Sequence, residues 1–127
     1  MIIAIDTNVY SEFMRGDSHC LSTLERATEI VVPIIVLAEL RAGFAVGTRS
    51  RTNLEALEEF LQLPNISILS PDPLTAVFYA DVFKSLRQQG TPIPSNDIWI
   101  AALAIQHNIP LFSMDKHFDR VANLLRA

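Results

Sequence analysis

Short apolar runs alternate along this chain with longer segments in which apolar residues recur at helical spacing. Four runs are too short for helices and are β-branched or continuously apolar, which predicts buried strands. They are Ile2–Ile5, Glu29–Val32, Ile66–Leu69 and Leu111–Ser113. Strands that alternate with helices favour a parallel sheet covered on both faces. The pattern therefore predicts an α/β fold, a three-layer α/β/α sandwich with a mostly parallel sheet.

The segments between these runs predict six helices, because their apolar residues fall three or four positions apart. The helices are Thr7–Arg15, Ser18–Thr28, Ile34–Phe44, Leu54–Leu61, a long helix from Leu74 that Gly90 ends, and Asp97–Gln106. Pro33 suits the first position of the third helix, and the polar Thr48–Asn53 segment predicts a turn. No repeat or linker interrupts the pattern, so we expect one domain over residues 1–127.

Composition bears on location and partners. Half of the 127 residues are hydrophobic, an apolar excess that predicts a homodimer, a protein partner or both. Cys20 is the only cysteine, which fits a reducing compartment. The N-terminus lacks the basic region of a signal peptide, and the most apolar stretch, Ile30–Ala38, is too short to span a bilayer. We expect a cytoplasmic protein with no membrane contact.

Four acidic residues stand where local structure does not require them. Asp6 and Asp115 follow predicted strands, Glu39 interrupts an apolar helix, and Asp97 opens the most apolar helix of the chain. Ligands of open α/β sheets bind at the carboxyl ends of the strands, where we expect Asp6 and Asp115. Asp97 joins them if its helix leads into the Leu111 strand from the opposite edge of the cleft.

Clustered carboxylates repel one another, and a bound divalent cation removes that cost. Oxygen ligands without cysteine or histidine favour Mg²⁺ or Mn²⁺ over zinc. His19, His107 and His117 show no metal-ligand spacing and are expected at the surface, with only His117 a candidate for contact with substrate. Such an ion lowers the pKa of bound water and stabilises charge on a phosphodiester. The pattern indicates phosphoryl transfer to water.

At these residues the chain resembles the PIN-domain ribonuclease family, and within it the VapC-like toxins of type II toxin–antitoxin systems. Four segments carry the resemblance in order and span nearly the whole chain, and the third is the most specific. They are Ile3–Val9, Ile35–Leu40 with Gly43, Gly90–Pro94 leading into Asn96–Ala102, and Leu111–Asp115 with Phe118. The family sheet usually ends in a fifth strand, for which Val121–Leu125 is the only candidate here.

The resemblance implies a metal-dependent endoribonuclease with Asp6, Glu39, Asp97 and Asp115 as its catalytic residues. Asp6, Asp97 and Asp115 would bind the metal directly or through water, and Glu39 would complete the cage or orient the attacking water. Asn8 and Ser113 would be supporting polar groups near the metal or the scissile phosphate. Asp119 is a weaker rival to Asp115, because it lies a helical turn further along the chain.

The resemblance also implies two macromolecular partners, an RNA substrate and a cognate antitoxin protein. The net charge of −4 argues against nucleic-acid binding by bulk positive charge. A few cations near the motifs would serve instead, and the candidates are Arg15, Arg41, Lys116 and Arg120. The apolar stripe Leu54, Leu57 and Leu61 would either line a groove for the antitoxin or face the domain's own core.

Purely structural roles for the four acids, and several different functions, stay open at the level of sequence. Asp6 and Asp97 suit helix starts, Asp115 suits a turn, and Glu39 suits a helix surface. A phosphatase with Asp6 as nucleophile is disfavoured because Asn8 stands where a second acid is needed. An RNA-processing nuclease without an antitoxin stays possible, as does a non-catalytic PIN module that binds RNA or protein.

Overall fold

A four-stranded, all-parallel sheet forms the centre of the structure, a computed structural model that describes residues 1–127. Its strands are β1 (Ile2–Ile5), β2 (Glu29–Pro33), β3 (Ile66–Leu69) and β4 (Leu111–Phe112). Ile2 pairs with Glu29, Ala4 with Leu111, and Ile30 with Ile66. The central strand β1 is continuously apolar because both of its faces are covered, and Ile3 and Ile5 are fully buried. The predicted α/β class with a parallel sheet is confirmed.

Six helices connect and cover the strands. They are α1 (Thr7–Met14), α2 (Ser18–Arg26), α3 (Ile34–Val46), α4 (Ser50–Leu61), α5 (Pro73–Gln89) and α6 (Ser95–Gln106). Helix α6 is buried all round from Ile100 to Ala104, as its unbroken apolar sequence predicts. Gly90 ends α5 in the left-handed conformation, with φ of 71°, which glycine adopts without strain. No helix has the length and apolar character needed to cross a membrane.

The order of the strands creates a single break in the direction of winding. The sheet reads β3-β2-β1-β4, so the chain moves outward from β1 to β3 and then returns to place β4 on the other side of β1. In open parallel sheets a ligand crevice forms at the carboxyl ends of the strands where the order reverses. That position lies between the ends of β1 and β4, directly before Asp6 and Ser113.

Several predicted boundaries are wrong, each for an identifiable reason. Helix α3 extends to Val46, beyond the predicted end at Phe44, and α4 already begins at Ser50, so helix replaces most of the segment predicted as a turn. Pro33 still pairs with Leu69, so it ends β2 rather than opening α3. Strand β4 stops at Phe112 because its partner β1 ends one residue after Ala4 pairs with Leu111.

The C-terminal segment Val121–Leu125 does not form a fifth strand. Asn123 adopts a left-handed conformation with φ of 65°, which breaks an extended backbone in the middle of the segment. Only Arg126 forms a parallel bridge with Leu111, supported by hydrogen bonds from Leu111 N to Leu125 O at 2.9 Å and from Ala127 N to Leu111 O at 3.0 Å. The sheet therefore ends at β4 with a short covering contact instead of a strand.

The apolar stripe of α4 serves the domain's own core. Leu57 is 1% exposed and belongs to the main hydrophobic cluster, as does Phe60, while Leu54 and Leu61 are half-buried. Of the two expectations for this stripe, the core role is correct for Leu57. The groove that would receive an antitoxin cannot depend on that side chain.

Candidate active site

The four acids singled out in the sequence line one cleft of about 240 Å³ at the carboxyl ends of β1 and β4. Eight of the nine lining residues are polar or proline: Asp6, Thr7, Asn8, Glu39, Pro94, Asp97, Asp115 and His117, with Ile100 as the ninth. We call this the acidic cleft. Four separate elements deliver its carboxylates, and a local role for one of them does not account for the convergence of all four.

Asp6 lies at the floor of the acidic cleft and is 4% exposed. It follows β1 directly and caps α1, because its Oδ1 accepts a hydrogen bond from Val9 N at 2.9 Å. Its Oδ2 accepts a hydrogen bond from the Ser113 hydroxyl, which also accepts one from Asp115 N at 3.0 Å. The capping role that the sequence allowed is thus present, but a carboxylate has about four acceptor sites, which leaves room for a further ligand.

Glu39 reaches the acidic cleft from the second turn of α3 and is half-buried. Its Oε1 accepts a hydrogen bond from the Thr7 hydroxyl at 2.7 Å, and its Oε2 accepts one from Asn96 Nδ2 at 3.4 Å. These two donors come from the starts of α1 and α6, on either side of the cleft. The carboxylate of Glu39 is therefore held in one orientation without being neutralised by a cation.

Asp97, Asp115 and His117 form the tightest group of the acidic cleft, with one ligand atom from each within 4.8 Å of the others. His117 Nδ1 lies 2.9 Å from Asp97 Oδ2 and 3.3 Å from Asp115 Oδ1. The contact with Asp97 is a hydrogen bond in the forms of the ring that carry a proton on Nδ1. Asp115 Oδ1 also accepts a hydrogen bond from His117 N at 2.9 Å, which starts the Lys116–Arg120 3₁₀ helix.

His117 corrects the expectation that the histidines lie outside the metal site. The chain turns into a 3₁₀ helix directly after Asp115, and this turn brings the His117 ring back toward the cleft. Thr7 and Asn96 were also not identified in the sequence, although each is adjacent to a predicted site residue. The only feature of the sequence that marks Thr7 and Asn96 is a polar side chain inside a motif, and this alone does not reveal a contact with Glu39.

Of the two predicted supporting residues, Asn8 lines the acidic cleft, and Ser113 contacts two of its acids without lining it. Asn8 is exposed on its wall, and Ser113 joins Asp6 to the backbone of Asp115. Asp119 does not line the cleft. Its carboxylate pairs with Arg126 at 2.8 Å, and the same guanidinium donates to Ser113 O at 3.0 Å. Asp119 thus lies outside the acidic cleft that Asp115 lines, and Arg126 ties the C-terminus to the loop that carries Ser113.

Burial and mutual repulsion raise the pKa of two carboxyl groups in the acidic cleft. For Asp6 the largest cause is loss of solvation, opposed by the hydrogen bonds from Ser113 and Val9 and reinforced by the charges of Asp115 and Asp97. For Asp97 loss of solvation again dominates in raising the pKa, and the hydrogen bond from His117 opposes it. A cluster whose charged form is disfavoured gains stability from a positive ion placed among its oxygens.

The donor set fits a divalent cation. Asp97 and Asp115 supply the nearest oxygens, His117 supplies a nitrogen within the same reach, and Asp6 and Glu39 flank the group. Carboxylate oxygens suit hard cations, whereas an imidazole suits transition metals better than magnesium. The cleft therefore meets the requirement for a divalent metal, and the place of His117 bears on which ion it prefers.

The chain is similar to known proteins along nearly its whole length. The PIN domain family model matches residues 3–124. Ribonuclease VapC2 of Rickettsia felis is 32% identical over 130 aligned residues, which cover 98% of this chain and 96% of that protein. Ribonuclease VapC1 of Haemophilus influenzae (strain R2866) is 28% identical, with 98% and 95% covered.

A solved structure shares the whole fold. The crystal structure of VapBC2 from Rickettsia felis bound to a DNA fragment from their promoter contains a chain that is similar with a TM-score of 0.88 at 27% identity. The match covers 100% of this chain and 98% of that chain. The family model matches nearly the whole chain, and the relatives and the shared fold agree with it: the chain belongs to the PIN domain family.

Proposed function

We propose that this chain is a metal-dependent endoribonuclease that hydrolyses RNA phosphodiester bonds at the acidic cleft, and that it is the toxin of a VapBC-like toxin–antitoxin pair. The convergence of Asp6, Glu39, Asp97 and Asp115 at the reversal of strand order carries the proposal. Similarity to ribonucleases named VapC supports RNA as the substrate. Residues 1–127 would form a single nuclease domain.

The residues divide the chemical task by their positions. Asp97 and Asp115 would hold a Mg²⁺ or Mn²⁺ ion, with Asp6 binding it directly or through water. When bound, such an ion lowers the pKa of water and stabilises charge on the phosphodiester. Glu39 makes no ion pair, and the donors Thr7 and Asn96 fix its orientation, so it can complete the cage or orient the attacking water. Ser113 keeps Asp6 and the Asp115 loop in register.

A cleavage assay with paired variants tests this proposal. Asp115→Asn keeps the size of the side chain but removes one negative charge from the cleft, and should reduce cleavage of single-stranded RNA at least about 100-fold. Asp81→Asn is the matched control, because Asp81 is an exposed acid on α5 outside the cleft. If Asp115→Asn cleaves RNA at the wild-type rate, or if both variants lose activity equally, Asp115 does not belong to the active site.

An apolar surface beside the acidic cleft supports a protein partner. A groove of about 480 Å³ is lined by Ile34, Ala38, Ala42 and Trp99 and opens onto Glu39 and Asn96. Tyr79 continues this surface, with its ring centroid 4.5 Å from that of Trp99, and Phe83, which is 45% exposed, stacks on Tyr79. We assign this surface to a second copy of the chain, as expected from its apolar excess.

The oligomeric state of the chain in solution distinguishes a dimer interface from a surface that stays exposed in a monomer. Ala42→Glu should convert a dimer to a monomer, because it introduces a charge into the buried centre of the contact. Val77→Glu is the control, since Val77 is exposed on α5 and lies outside the groove. Light scattering on both variants measures the outcome, and an unchanged mass for Ala42→Glu would refute the assignment. We expect the antitoxin to act at the acidic cleft itself, where one of its arginines would compete with the metal for the carboxylates.

A further inference from the structure

A second polar cavity, of about 400 Å³, lies between α1, the end of α3 and the start of α4. We call it the arginine pocket, and its polar lining residues are Tyr10, Ser11, Arg15, Arg49 and Asn53. It contains two guanidinium groups and an amide but no carboxylate. A cavity of this size with convergent donors and a net positive lining favours an anionic ligand.

The cations of the arginine pocket differ in how they are engaged. Arg15 pairs with Glu12 at 2.6 Å through Nη1 alone, and its side chain is 70% exposed, so the pair leaves most guanidinium donors free. Arg49 makes no ion pair and stands at the N-cap of α4. No side chain caps that helix, so the positive end of its dipole adds to the charge at the same rim.

Tyr10 gives the arginine pocket a third feature that the fold alone does not explain. Its ring is 3% exposed and packs edge-on against Phe60, with centroids 5.2 Å apart. Its hydroxyl is the one buried side-chain polar atom without a hydrogen-bond partner. An unpaired buried hydroxyl costs free energy, about 1–3 kcal/mol in mutational data, unless a ligand or water satisfies it. Burial raises the pKa of Tyr10, so the hydroxyl stays a donor.

Helix α1 connects the arginine pocket to the acidic cleft. Thr7 lines the cleft, Ser11 lines the pocket, and the Ser11 hydroxyl donates to Thr7 O at 3.2 Å one helical turn away. The eight residues of α1 span about 12 Å, so a chain that leaves the cleft along this helix meets Arg15 within a few nucleotides. The two cavities thus share a wall.

We propose that the arginine pocket binds a backbone phosphate of the single-stranded RNA that flanks the scissile bond. The proposal rests on the ribonuclease function proposed above and adds where the rest of the substrate lies. The cleft presents four carboxylates to a polyanion, so a metal can balance the scissile phosphate while the flanking phosphates need cations elsewhere. Arg15 and Arg49 are the cations that share a cavity next to the cleft.

Binding of a labelled single-stranded oligoribonucleotide to the full chain tests the proposal, with Asp6→Asn present to prevent cleavage. In single-stranded RNA each neutralised phosphate contributes about 0.7 to the slope of log K against log salt. The double variant Arg15→Ala/Arg49→Ala should reduce the magnitude of that slope by about 0.7 or more. It should also weaken binding about tenfold at low salt. Arg51→Ala is the matched control, because Arg51 lies on the same helix as the pocket's Asn53, pairs with Glu55 and is outside the pocket.

Cleavage kinetics in the otherwise wild-type chain provide the second readout. The double variant should raise KM about tenfold and leave kcat within about twofold, because the contact binds ground state and transition state alike. A salt slope and a KM that match those of Arg51→Ala would overturn the proposal. If the double variant then binds a protein partner more weakly than the wild type does, the occupant of the arginine pocket is a protein. A wild-type chain that does not cleave RNA would instead refute the proposed function. The two failures are distinguishable, because the salt slope is measured in the Asp6→Asn background, without cleavage.

Discussion

Removing the charge of Asp6 should stabilise the metal-free protein while abolishing its activity. Asp6 is 4% exposed, its pKa is raised chiefly by lost solvation, and Asp97 and Asp115 add repulsion. Asparagine keeps the Oδ1 that accepts from Val9 N, so the cap of α1 survives the change. Asp6→Asn therefore removes an unfavourable charge and keeps the cap of α1, and the one contact that it alters is the hydrogen bond from the Ser113 hydroxyl.

The magnitude follows from the burial of the group. A buried charge without a counterion disfavours folding by about 1–3 kcal/mol, and the Ser113 hydroxyl, which must find a new acceptor, offsets up to about 1 kcal/mol of the relief. A net gain of about 1–2 kcal/mol corresponds to a rise in Tm of roughly 4–8 °C for a domain of this size. Metal reverses the order, because 100-fold excess over Kd stabilises the wild type by about 2.7 kcal/mol.

Thermal unfolding followed by circular dichroism, in chelator and then in Mn²⁺, measures both effects. Asp17→Asn is the matched control: Asp17 caps α2 by accepting from Cys20 N at 2.9 Å, but it lies outside the acidic cleft. Asparagine caps about as well as aspartate, so this variant should change Tm little in either condition. A lower Tm for Asp6→Asn in chelator would refute the reasoning, because it would make the Asp6 charge stabilising.

The raised pKa also fixes the pH dependence of the metal-free protein. The folded state holds a proton on Asp6 at pH values where the unfolded chain, with its carboxyl pKa near 3.8, has lost it. Stability therefore falls as pH rises from 3.8 through the folded pKa, and the advantage of Asp6→Asn grows over the same window. An advantage that is constant between about pH 4 and about pH 7 would contradict this cause.

Three further predictions concern single contacts. Leu57→Asp should unfold the protein, since it places a charge in the core, whereas Leu63→Asp at a half-exposed position should shift stability by less than about 0.5 kcal/mol; chemical denaturation compares them. Arg126→Ala should lower Tm by roughly 4 °C, because it removes the hydrogen bond to Ser113 O and the ion pair with Asp119. His117→Ala should move the acid limb of Mn²⁺ binding to higher pH, because the hydrogen bond from His117 holds down the pKa of Asp97; an unchanged limb in a pH titration would exclude that role.

The sequence predicted those parts of the site that depend on strand order. Asp6 and Ser113 lie at the ends of neighbouring strands because β1 and β4 are both buried and apolar, a property visible in Ile2–Ile5 and Leu111–Phe112. Asp97 follows because α6 is apolar all round and has to be buried beside them. Such assignments need only periodicity and the rule for open sheets.

Several features of the site depend on tertiary contacts that no local pattern reveals. His117 enters the site because the backbone after Asp115 closes into a 3₁₀ turn, and nothing in the residue spacing distinguishes that turn from a strand. The arginine pocket depends on where α4 starts, and the polar residues from Thr48 to Asn53 suit a turn as well as a helix. Long-range packing decided both outcomes.

If the acidic cleft hydrolyses RNA with a bound divalent ion, the rate of RNA cleavage should depend on metal occupancy. The chelator-treated chain is titrated with Mn²⁺, and bound Mn²⁺ by electron paramagnetic resonance and the rate of cleavage of a single-stranded RNA are recorded on the same samples. We expect no cleavage in chelator. In the wild type the rate and the occupancy should rise together with the same midpoint, and both should be lost in Asp97→Asn. Cleavage at full rate in chelator, or full Mn²⁺ binding by Asp97→Asn, would contradict this expectation.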